Sequence, residues 1–326
     1  MTVMTYRDAL NQALREEMQR DERVYLLGED IGVFEGAYKV TQGLLAEFGE
    51  KRVRDTPIAE EGFVGAAIGS AMLGLRPVVE IMTINFSILA MDQIVNNAAK
   101  IYYMFGGQQP VPMVIRMPGG GGQQLTAQHS QSLEVWYAHV PGLKVVAPAF
   151  PADAKGMLKR AIRQSDPVIF IEHLALYNTR GEVPDGDYVI PFGKAQVVRE
   201  GRDISIFAHS RMTLTALEAA RQLEELGVSA EVVDLRSLRP YDRETLVRSV
   251  KKTNRALYVE EGWGSYGVGA EIVAAVSEDA FDYLDAPIGR VAGAEVPMPY
   301  SKPLERAAIP SAATIVTKAK QILNLR

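Results

Sequence analysis

The fold is decided by the segment RDTPIAEEGFVGAAIGSA, which runs from Arg54 to Ala71. Pro57 disfavours helix at the residue before it, and small residues then recur at helical spacing, so the pattern predicts a helix that starts close to Ala59. Glu60 would lie in the first turn of that helix. The spacing leaves two interpretations open. Glu60 either complements the helix dipole, or it is a buried carboxyl group that faces a ligand.

The same helix carries glycines on one face, each of which costs about 1 kcal/mol of helix propensity relative to alanine. These glycines are Gly62, Gly65 and Gly69. A face with so little side chain predicts close approach by another element, either a neighbouring helix or a ligand.

Length and composition restrict the class of protein. The chain has 326 residues, of which 47% are apolar, so it can bury a large core and is long enough for two domains. The net charge of −5 and the lack of a long basic run make nucleic acid an unexpected partner. The sequence contains no cysteine, which excludes disulfides and thiolate chemistry. No apolar run is long enough for a membrane span, and we expect an intracellular protein.

Strands and helices alternate along most of the chain, which predicts an α/β fold with parallel sheets. Turn-forming residues between Tyr177 and Gly193 indicate a linker. The alternation resumes at Ile204. We therefore predict two doubly wound domains, residues 1–186 and a smaller domain of residues 187–326.

One stretch between these patterns is less regular. We predict a strand over Val78–Met82 and a single helix over Phe86–Tyr103. The four glycines of Gly119–Gly122 form a loop that is too flexible to hold one shape without help.

Other candidate sites have weaker support. The string Gly262–Gly267 matches G-x-G-x-x-G after a predicted strand, but it lies too late in its domain for the usual dinucleotide site, so a tight turn is the favoured interpretation. His173 and His209 each end a predicted strand, where a histidine can be catalytic but is more often structural. His129 follows the glycine loop, a position suited to a mobile acid or hydrogen-bond donor.

Several motifs together resemble the β subunit of the thiamine-diphosphate-dependent 2-oxo acid dehydrogenases, over nearly the whole chain. The motifs are DTPIAE at 55–60, GLRP at 74–77, DQIVN at 92–96, AQHSQ at 127–131, PGLKVV at 141–146 and VDLRSLRP at 233–240. Within that family, residues 137–143 are most similar to pyruvate dehydrogenases, with branched-chain 2-oxo acid and acetoin dehydrogenases as alternatives. The resemblance implies a pyrimidine-binding thiamine domain followed by a transketolase C-terminal-like domain.

The resemblance also assigns roles to individual residues. It implies that Glu60 hydrogen-bonds the aminopyrimidine of the cofactor and supports its activation, and that Phe86 stacks on that ring. Glu29, Ile58 and Met82 match other positions around the ring. His129 matches a histidine at the substrate end, so Glu60 and His129 are the predicted catalytic residues. Leu89 stands where relatives often have glutamine.

Metals and partners follow from the same resemblance. The superfamily holds Mg²⁺ with a Gly-Asp-Gly motif that this sequence lacks, which implies an α subunit carrying the diphosphate half of the site in an α2β2 heterotetramer. The implied reaction is oxidative decarboxylation of a 2-oxo acid, with acyl transfer to the lipoyl groups of a dihydrolipoyl acyltransferase core. The implied compartment is the cytoplasm, or the mitochondrial matrix or plastid in a eukaryote. Relatives hold K⁺ on main-chain carbonyls at positions that match Met113, Ala161, Ile162, Gln164 and Asp166.

Overall fold

A computed structural model describes residues 1–325, and the chain in it divides into two units. The first unit comprises residues 1–119 and 136–191, and the second comprises residues 120–135 and those from 192 onward. The segment 120–135 therefore belongs to the second unit although it lies inside the first in sequence. The predicted domain boundary after residue 186 stays a prediction.

The first unit is built on a parallel sheet. The strands of the first unit are β1 (Thr2–Thr5), β2 (Val24–Gly28), β3 (Val53–Asp55), β4 (Arg76–Glu80), β5 (Val114–Gly119), β6 (Lys144–Val146), β7 (Val168–His173) and β8 (Arg180–Val183). Strands β6-β7-β5-β4-β2-β3 are neighbours in that order, and each pair is parallel. All residues of β5 and β7 are buried, as expected for the central strands of a covered parallel sheet.

Strands β1 and β8 form a separate antiparallel pair. Strand β8 lies in the stretch that the turn formers led us to predict as a linker. That prediction overlooked the strand because its partner, β1, lies almost 180 residues earlier in the chain, where local sequence gives no sign of the pairing.

The helices of the first unit surround the sheet. They are α1 (Tyr6–Arg20), α2 (Leu44–Phe48), α3 (Glu60–Met72), α4 (Ile101–Met104), α5 (Glu134–Ala138), where the chain returns from the second unit, and α6 (Pro151–Arg163). The predicted single helix over Phe86–Tyr103 is wrong. The chain there forms a 3-10 helix at Ile84–Ala90 and a π-helix at Gln93–Ala98 before α4. The hydroxyl of Ser87 is bonded both to the Ile84 carbonyl and to the hydroxyl of Tyr137, a tertiary contact that residue spacing does not reveal.

Helix α3 begins as predicted, with Ala59 at its N-cap and Glu60 in its first turn. Its apolar residues face the core, and Val64 and Ala67 are fully buried. Gly62 and Gly69 are exposed, whereas a Cβ at Gly65 would lie 3.3 Å from Oε1 of Gln93. Among residues 1–325, the middle glycine is therefore the only one of the three at which a Cβ would be tightly placed.

The second unit has a mixed sheet in the order β14-β13-β10-β11-β9, parallel except for the edge strand β9. The strands of the second unit are β9 (Gln196–Arg199), β10 (Ile204–Ala208), β11 (Ala230–Asp234), β12 (Ser237–Arg239), β13 (Ala256–Trp263) and β14 (Gly289–Gly293), of which all but β12 belong to this sheet. The helices of the unit are α7 (Arg211–Glu225), α8 (Arg243–Thr253), α9 (Val268–Ala280), α10 (Lys302–Ala308) and α11 (Ala312–Ile322). Both units thus have the predicted α/β architecture. No helix in residues 1–325 combines the length and apolar character needed to cross a bilayer.

Candidate functional site

Five predicted site residues lie at one edge of the first sheet. Glu29 directly follows β2, Met82 lies two residues beyond β4, and Glu60 begins α3 after β3. These three strands are parallel neighbours, so their carboxyl ends meet at the same edge, where α/β sheets bind ligands. Ile58 lies between β3 and α3, and Phe86 lies in the 3-10 helix that follows Met82.

The two acids of this edge are buried, and the apolar residues are more open. Glu29 is 5% exposed and Glu60 is 3% exposed, whereas Ile58 is 82% exposed. Met82 and Phe86 are half-buried. An arrangement of buried carboxyl groups with accessible apolar side chains suits a flat ring that carries polar atoms on its edge.

The electrostatics of the edge centre on Glu29. Burial raises the pKa of Glu29 to about 7, with smaller contributions from the negative charges of Glu60 and Asp30. Within the described residues, Oε1 of Glu29 is buried and has no hydrogen-bond partner. A buried carboxyl oxygen in that state requires either a proton of its own or a donor from a ligand.

Local hydrogen bonds hold the loops that carry these acids. Asp55, the last residue of β3, accepts hydrogen bonds from the amides of Gly32 at 2.6 Å and Val33 at 3.0 Å. The amide of Thr56 donates to the carbonyl of Gly28 at 3.0 Å. The loop after Glu29 is therefore tied to the strand that precedes Glu60.

The chemistry of the carboxyl groups and apolar side chains at this edge fits an aminopyrimidine. Such a ring presents N–H donors and ring-nitrogen acceptors on its edge and two flat apolar faces. The unpartnered acceptor on Glu29, the buried carboxyl of Glu60 and the half-buried ring of Phe86 match those features. Sequence reasoning did not select Thr56, whose Oγ1 is also buried without a partner among residues 1–325. Its place in the DTPIAE motif was the available signal.

His129 lies in the second unit, on the segment 120–135. Its side chain is exposed, and its amide donates to the carbonyl of Thr126 at 3.2 Å. The structure thus places five predicted site residues together in one unit and His129 in the other. The role of His129 at the substrate end stays a prediction.

Two other histidines make structural contacts. His173 is 5% exposed, and its Nδ1 accepts a hydrogen bond from the amide of Ala175 at 3.1 Å. His209 is 3% exposed and lies 2.8 Å from the hydroxyl of Tyr258 and 3.1 Å from a carboxylate oxygen of Glu134. Burial lowers the pKa of His209, but the hydrogen bond and charge of Glu134 raise it, and the net shift is upward.

The G-x-G-x-x-G string has the structure of a tight turn before α9. The carboxylate of Glu260 accepts a hydrogen bond from the amide of Gly269 at 3.2 Å, and a Cβ at Gly267 would lie 2.5 Å from the same carboxylate. The amides at the start of α9 therefore face an acid, where a dinucleotide site needs space for a pyrophosphate.

Three of the five carbonyls expected to hold potassium are already hydrogen-bonded. Nη1 of Arg76 donates to the carbonyls of Ile162 at 2.8 Å and Gln164 at 2.9 Å. The carbonyl of Met113 accepts from the amide of Val168 at 3.0 Å. Because a guanidinium repels a cation, the carbonyls of Ile162 and Gln164 fit a potassium ion only if Arg76 releases them.

Comparisons with known proteins agree on the family. A family model described as "Transketolase, pyrimidine binding domain" matches residues 2–179, and one described as "Transketolase, C-terminal domain" matches residues 193–315. A solved structure described as "Split gene transketolase, inactive beta4 tetramer" superposes with a TM-score of 0.80 at 26% identity and covers 99% of each chain.

Curated relatives are more similar in sequence. The chain is 53% identical to the mitochondrial pyruvate dehydrogenase E1 component subunit beta of Caenorhabditis elegans, over 99% of this chain and 94% of that protein. It is 50% identical to the human mitochondrial protein of the same name, over 99% and 91%. It is 51% identical to the corresponding subunit of Rhizobium meliloti, over 99% and 70%. The chain therefore belongs to the family of pyruvate dehydrogenase E1 component β subunits, within the transketolase-like, thiamine-diphosphate-dependent enzymes.

Proposed function

We propose that this chain is the β subunit of a pyruvate dehydrogenase that decarboxylates pyruvate and passes the acetyl group to lipoyl-lysine. The observation that carries the proposal is the pair of buried acids, Glu29 and Glu60, at the edge formed by β4, β2 and β3. Similarity to pyruvate dehydrogenase subunits over nearly the full length supports pyruvate as the substrate. Branched-chain 2-oxo acids and acetoin are the alternative substrates.

When bound, thiamine diphosphate would supply a carbon nucleophile for the 2-oxo group and an electron sink for the charge left by loss of CO₂. In the proposal, Glu60 holds a proton against a ring nitrogen of the aminopyrimidine. Glu29 accepts a hydrogen bond at its unpartnered Oε1, and Phe86 offers a flat apolar face. Ile58 and Met82 exclude water from the ring. His129 donates a hydrogen bond at the substrate end.

The proposed assembly includes a second kind of subunit. The sequence lacks the Gly-Asp-Gly motif, so we assign Mg²⁺ and the diphosphate to an α subunit, and we propose an α2β2 heterotetramer that docks on a dihydrolipoyl acyltransferase core. The proposed compartment is the cytoplasm of a bacterium or the matrix or plastid of a eukaryote. Potassium is a further proposed ligand, and it would compete with Arg76. A higher melting temperature in KCl than in NaCl would support it, and equal temperatures would contradict it.

The test is to assay the chain alone and co-expressed with its α partner, on pyruvate and on 3-methyl-2-oxobutanoate. We expect thiamine diphosphate binding and turnover only in the co-expressed complex, with pyruvate the better substrate by kcat/KM. Turnover by the chain without a partner would contradict the two-subunit assignment. A preference for 3-methyl-2-oxobutanoate would contradict pyruvate as the substrate.

A further inference from the structure

The glycine loop has a backbone that is unfavourable without external support. The structure extends this loop to Thr126, and every second residue from Gly120 onward has a positive φ: Gly120 at 84°, Gly122 at 93°, Gln124 at 56° and Thr126 at 62°. Glycine adopts this region freely, but glutamine does so at a cost, and for β-branched threonine it is a genuine outlier. A loop of this kind keeps its shape only where its surroundings determine it.

A carboxylate distant in sequence provides that support. Oε1 of Glu305, in α10, accepts hydrogen bonds from the amides of Gly122 at 2.9 Å and Gln124 at 3.0 Å. Glu305 is only 2% exposed. Hydrogen bonds from backbone amides to an ionised carboxylate are about twice as strong as neutral ones, and alternating backbone conformations form a concave nest of amides that suits an anion.

The first turn of the loop has a second anchor. Glu261 accepts a hydrogen bond from the amide of Gly121 at 2.6 Å, and Nη1 of Arg211 donates to the carbonyl of Gly121 at 3.1 Å. A Cβ at Gly122 would lie 2.7 Å from that nitrogen of Arg211. The loop is therefore packed closely against the groups that hold it, and all of them belong to the second unit.

The far end of the segment is also held, because Glu134 contacts His209 at 3.1 Å. His129 lies between the two ends. It connects to the held part of the loop through its amide, which donates to the carbonyl of Thr126 at 3.2 Å, only two residues beyond Gln124.

We propose that Glu305 is a positioning residue that orders the glycine loop and thereby places His129 for acyl transfer. This inference rests on the proposed role of His129. Glu305 acts through the loop backbone: its carboxylate fixes the amides of Gly122 and Gln124, and these fix the conformation from which His129 projects.

The direct test measures loop order without relying on activity. In Glu305→Ala, we expect the amides of Gly122 and Gln124 in the full chain to exchange hydrogen at least about tenfold faster than in the parent protein. Glu305→Gln keeps an acceptor oxygen and should restore most of the protection. Glu305→Asp keeps the charge but withdraws it by one methylene, so it should be intermediate, and it serves if the alanine variant fails to fold.

The matched control is Glu231→Ala. Glu231 is 1% exposed and lies in the same unit, where it accepts a hydrogen bond from Ser249 at 2.6 Å and pairs with Lys252. Its loss removes a buried carboxylate of similar burial that does not contact the loop. We expect unchanged exchange at residues 122–124 in this variant. Equal loosening of the loop in both variants would show that any damage to the unit has this effect and would overturn the inference.

The second test is a double-mutant cycle in the co-expressed complex. We expect Glu305→Ala to lower turnover in acyl transfer to lipoyl groups about tenfold, with unchanged affinity for thiamine diphosphate. In a His129→Ala background, the same change should cost less than about twofold, because the residue through which Glu305 acts is already absent. A full additional tenfold loss in that background would overturn the inference. If His129→Ala alone retains parent turnover, the proposed role of His129 fails, and hydrogen exchange then decides whether Glu305 orders the loop.

Discussion

The acidic edge of the first unit and the glycine loop of the second differ in where their support comes from. At the edge, the loop after Glu29 is held by Asp55, which is 22 or 23 residues away from the amides it binds. In the loop, the amides of Gly121, Gly122 and Gln124 are held by acids 140, 183 and 181 residues away. The edge is therefore held by a nearby stretch of sequence, whereas the loop depends on residues that lie much further along the chain.

Glu60→Gln, a change at the acidic edge, should cause the largest loss of turnover. An amide cannot hold and release the proton assigned to Glu60, although its volume is nearly the same. We expect turnover of the co-expressed complex to fall by about 10²-fold or more. This is the lower end of the contribution that general acid–base catalysis usually makes. Glu61→Gln is the control, because Glu61 is adjacent in α3 but exposed. Parent turnover in Glu60→Gln would remove this residue from the mechanism.

His129→Ala tests the functional end of the loop. We expect acyl transfer to lipoyl groups to fall between about 10- and 100-fold, less than the loss of an enclosed donor to a developing oxyanion, because His129 is exposed. Calorimetry should show unchanged affinity for thiamine diphosphate, since the aminopyrimidine residues are intact. His139→Ala, at another exposed histidine, should leave both quantities unchanged. Lost cofactor affinity with normal turnover would contradict the assignment.

Glu29 gives the edge a dependence on pH that can be measured as stability. Its carboxyl has an ordinary pKa of 4.5 and a folded-state pKa of about 7, so the folded chain retains a proton that the unfolded chain has lost. The free energy of unfolding should therefore fall as pH rises from about 4.5 to about 7. Allowing for solvent screening, Glu29→Gln should be about 1 kcal/mol more stable than the parent at pH 8.

At pH 4 the difference between Glu29→Gln and the parent should nearly vanish, because the parent carboxyl is then mostly protonated in both states. Urea denaturation at the two pH values measures this, with Glu50→Gln as a control at an exposed carboxylate. A variant that is less stable than the parent at pH 8 would show that the ionised carboxylate contributes favourably.

Gly69→Ala should have the smallest effect and the opposite sign to a change in the loop. Among the described residues, nothing lies within 4 Å of a Cβ at Gly69, whereas Gly122 has a φ of 93° and a Cβ there would lie 2.7 Å from Nη1 of Arg211. Alanine in α3 should raise the free energy of unfolding by about 0.5–1 kcal/mol, and Gly122→Ala should lower it. A loss of stability in Gly69→Ala would show that the exposed glycine face is covered in the assembled protein.

Much of the fold could be predicted because local signals decided it. Pro57 and the small residues after it located the start of α3, and the alternation of strands and helices predicted the α/β architecture of both units. Glu29 was found from the family resemblance, whereas Glu60 was already a candidate from its place in the first turn of α3, and the burial of both acids agrees with a ligand-facing role. Their catalytic and binding roles remain predictions.

The rest depended on contacts that sequence spacing does not reveal. Strand β8 is a strand because β1 pairs with it, and residue spacing gave no sign of the 3-10 and π geometry that replaces the helix predicted from Phe86. The sequence did show that the four glycines could not hold one shape alone, but Glu305 carries no motif that would identify it as their support. Arg76 likewise gave no sign that it would bind the carbonyls expected for potassium.

The path of the chain has a consequence for how this protein could be recombined. The chain passes from one unit to the other after residues 119, 135 and 191. A gene exchange with a single breakpoint near 191 would transfer the second sheet without the loop that its own acids hold. Glu261 and Glu305 would then receive hydrogen bonds from a loop of the other parent, so hybrids of related subunits should keep the loop ordered best when residues 120–135 are inherited from the same parent as the sequence after 191.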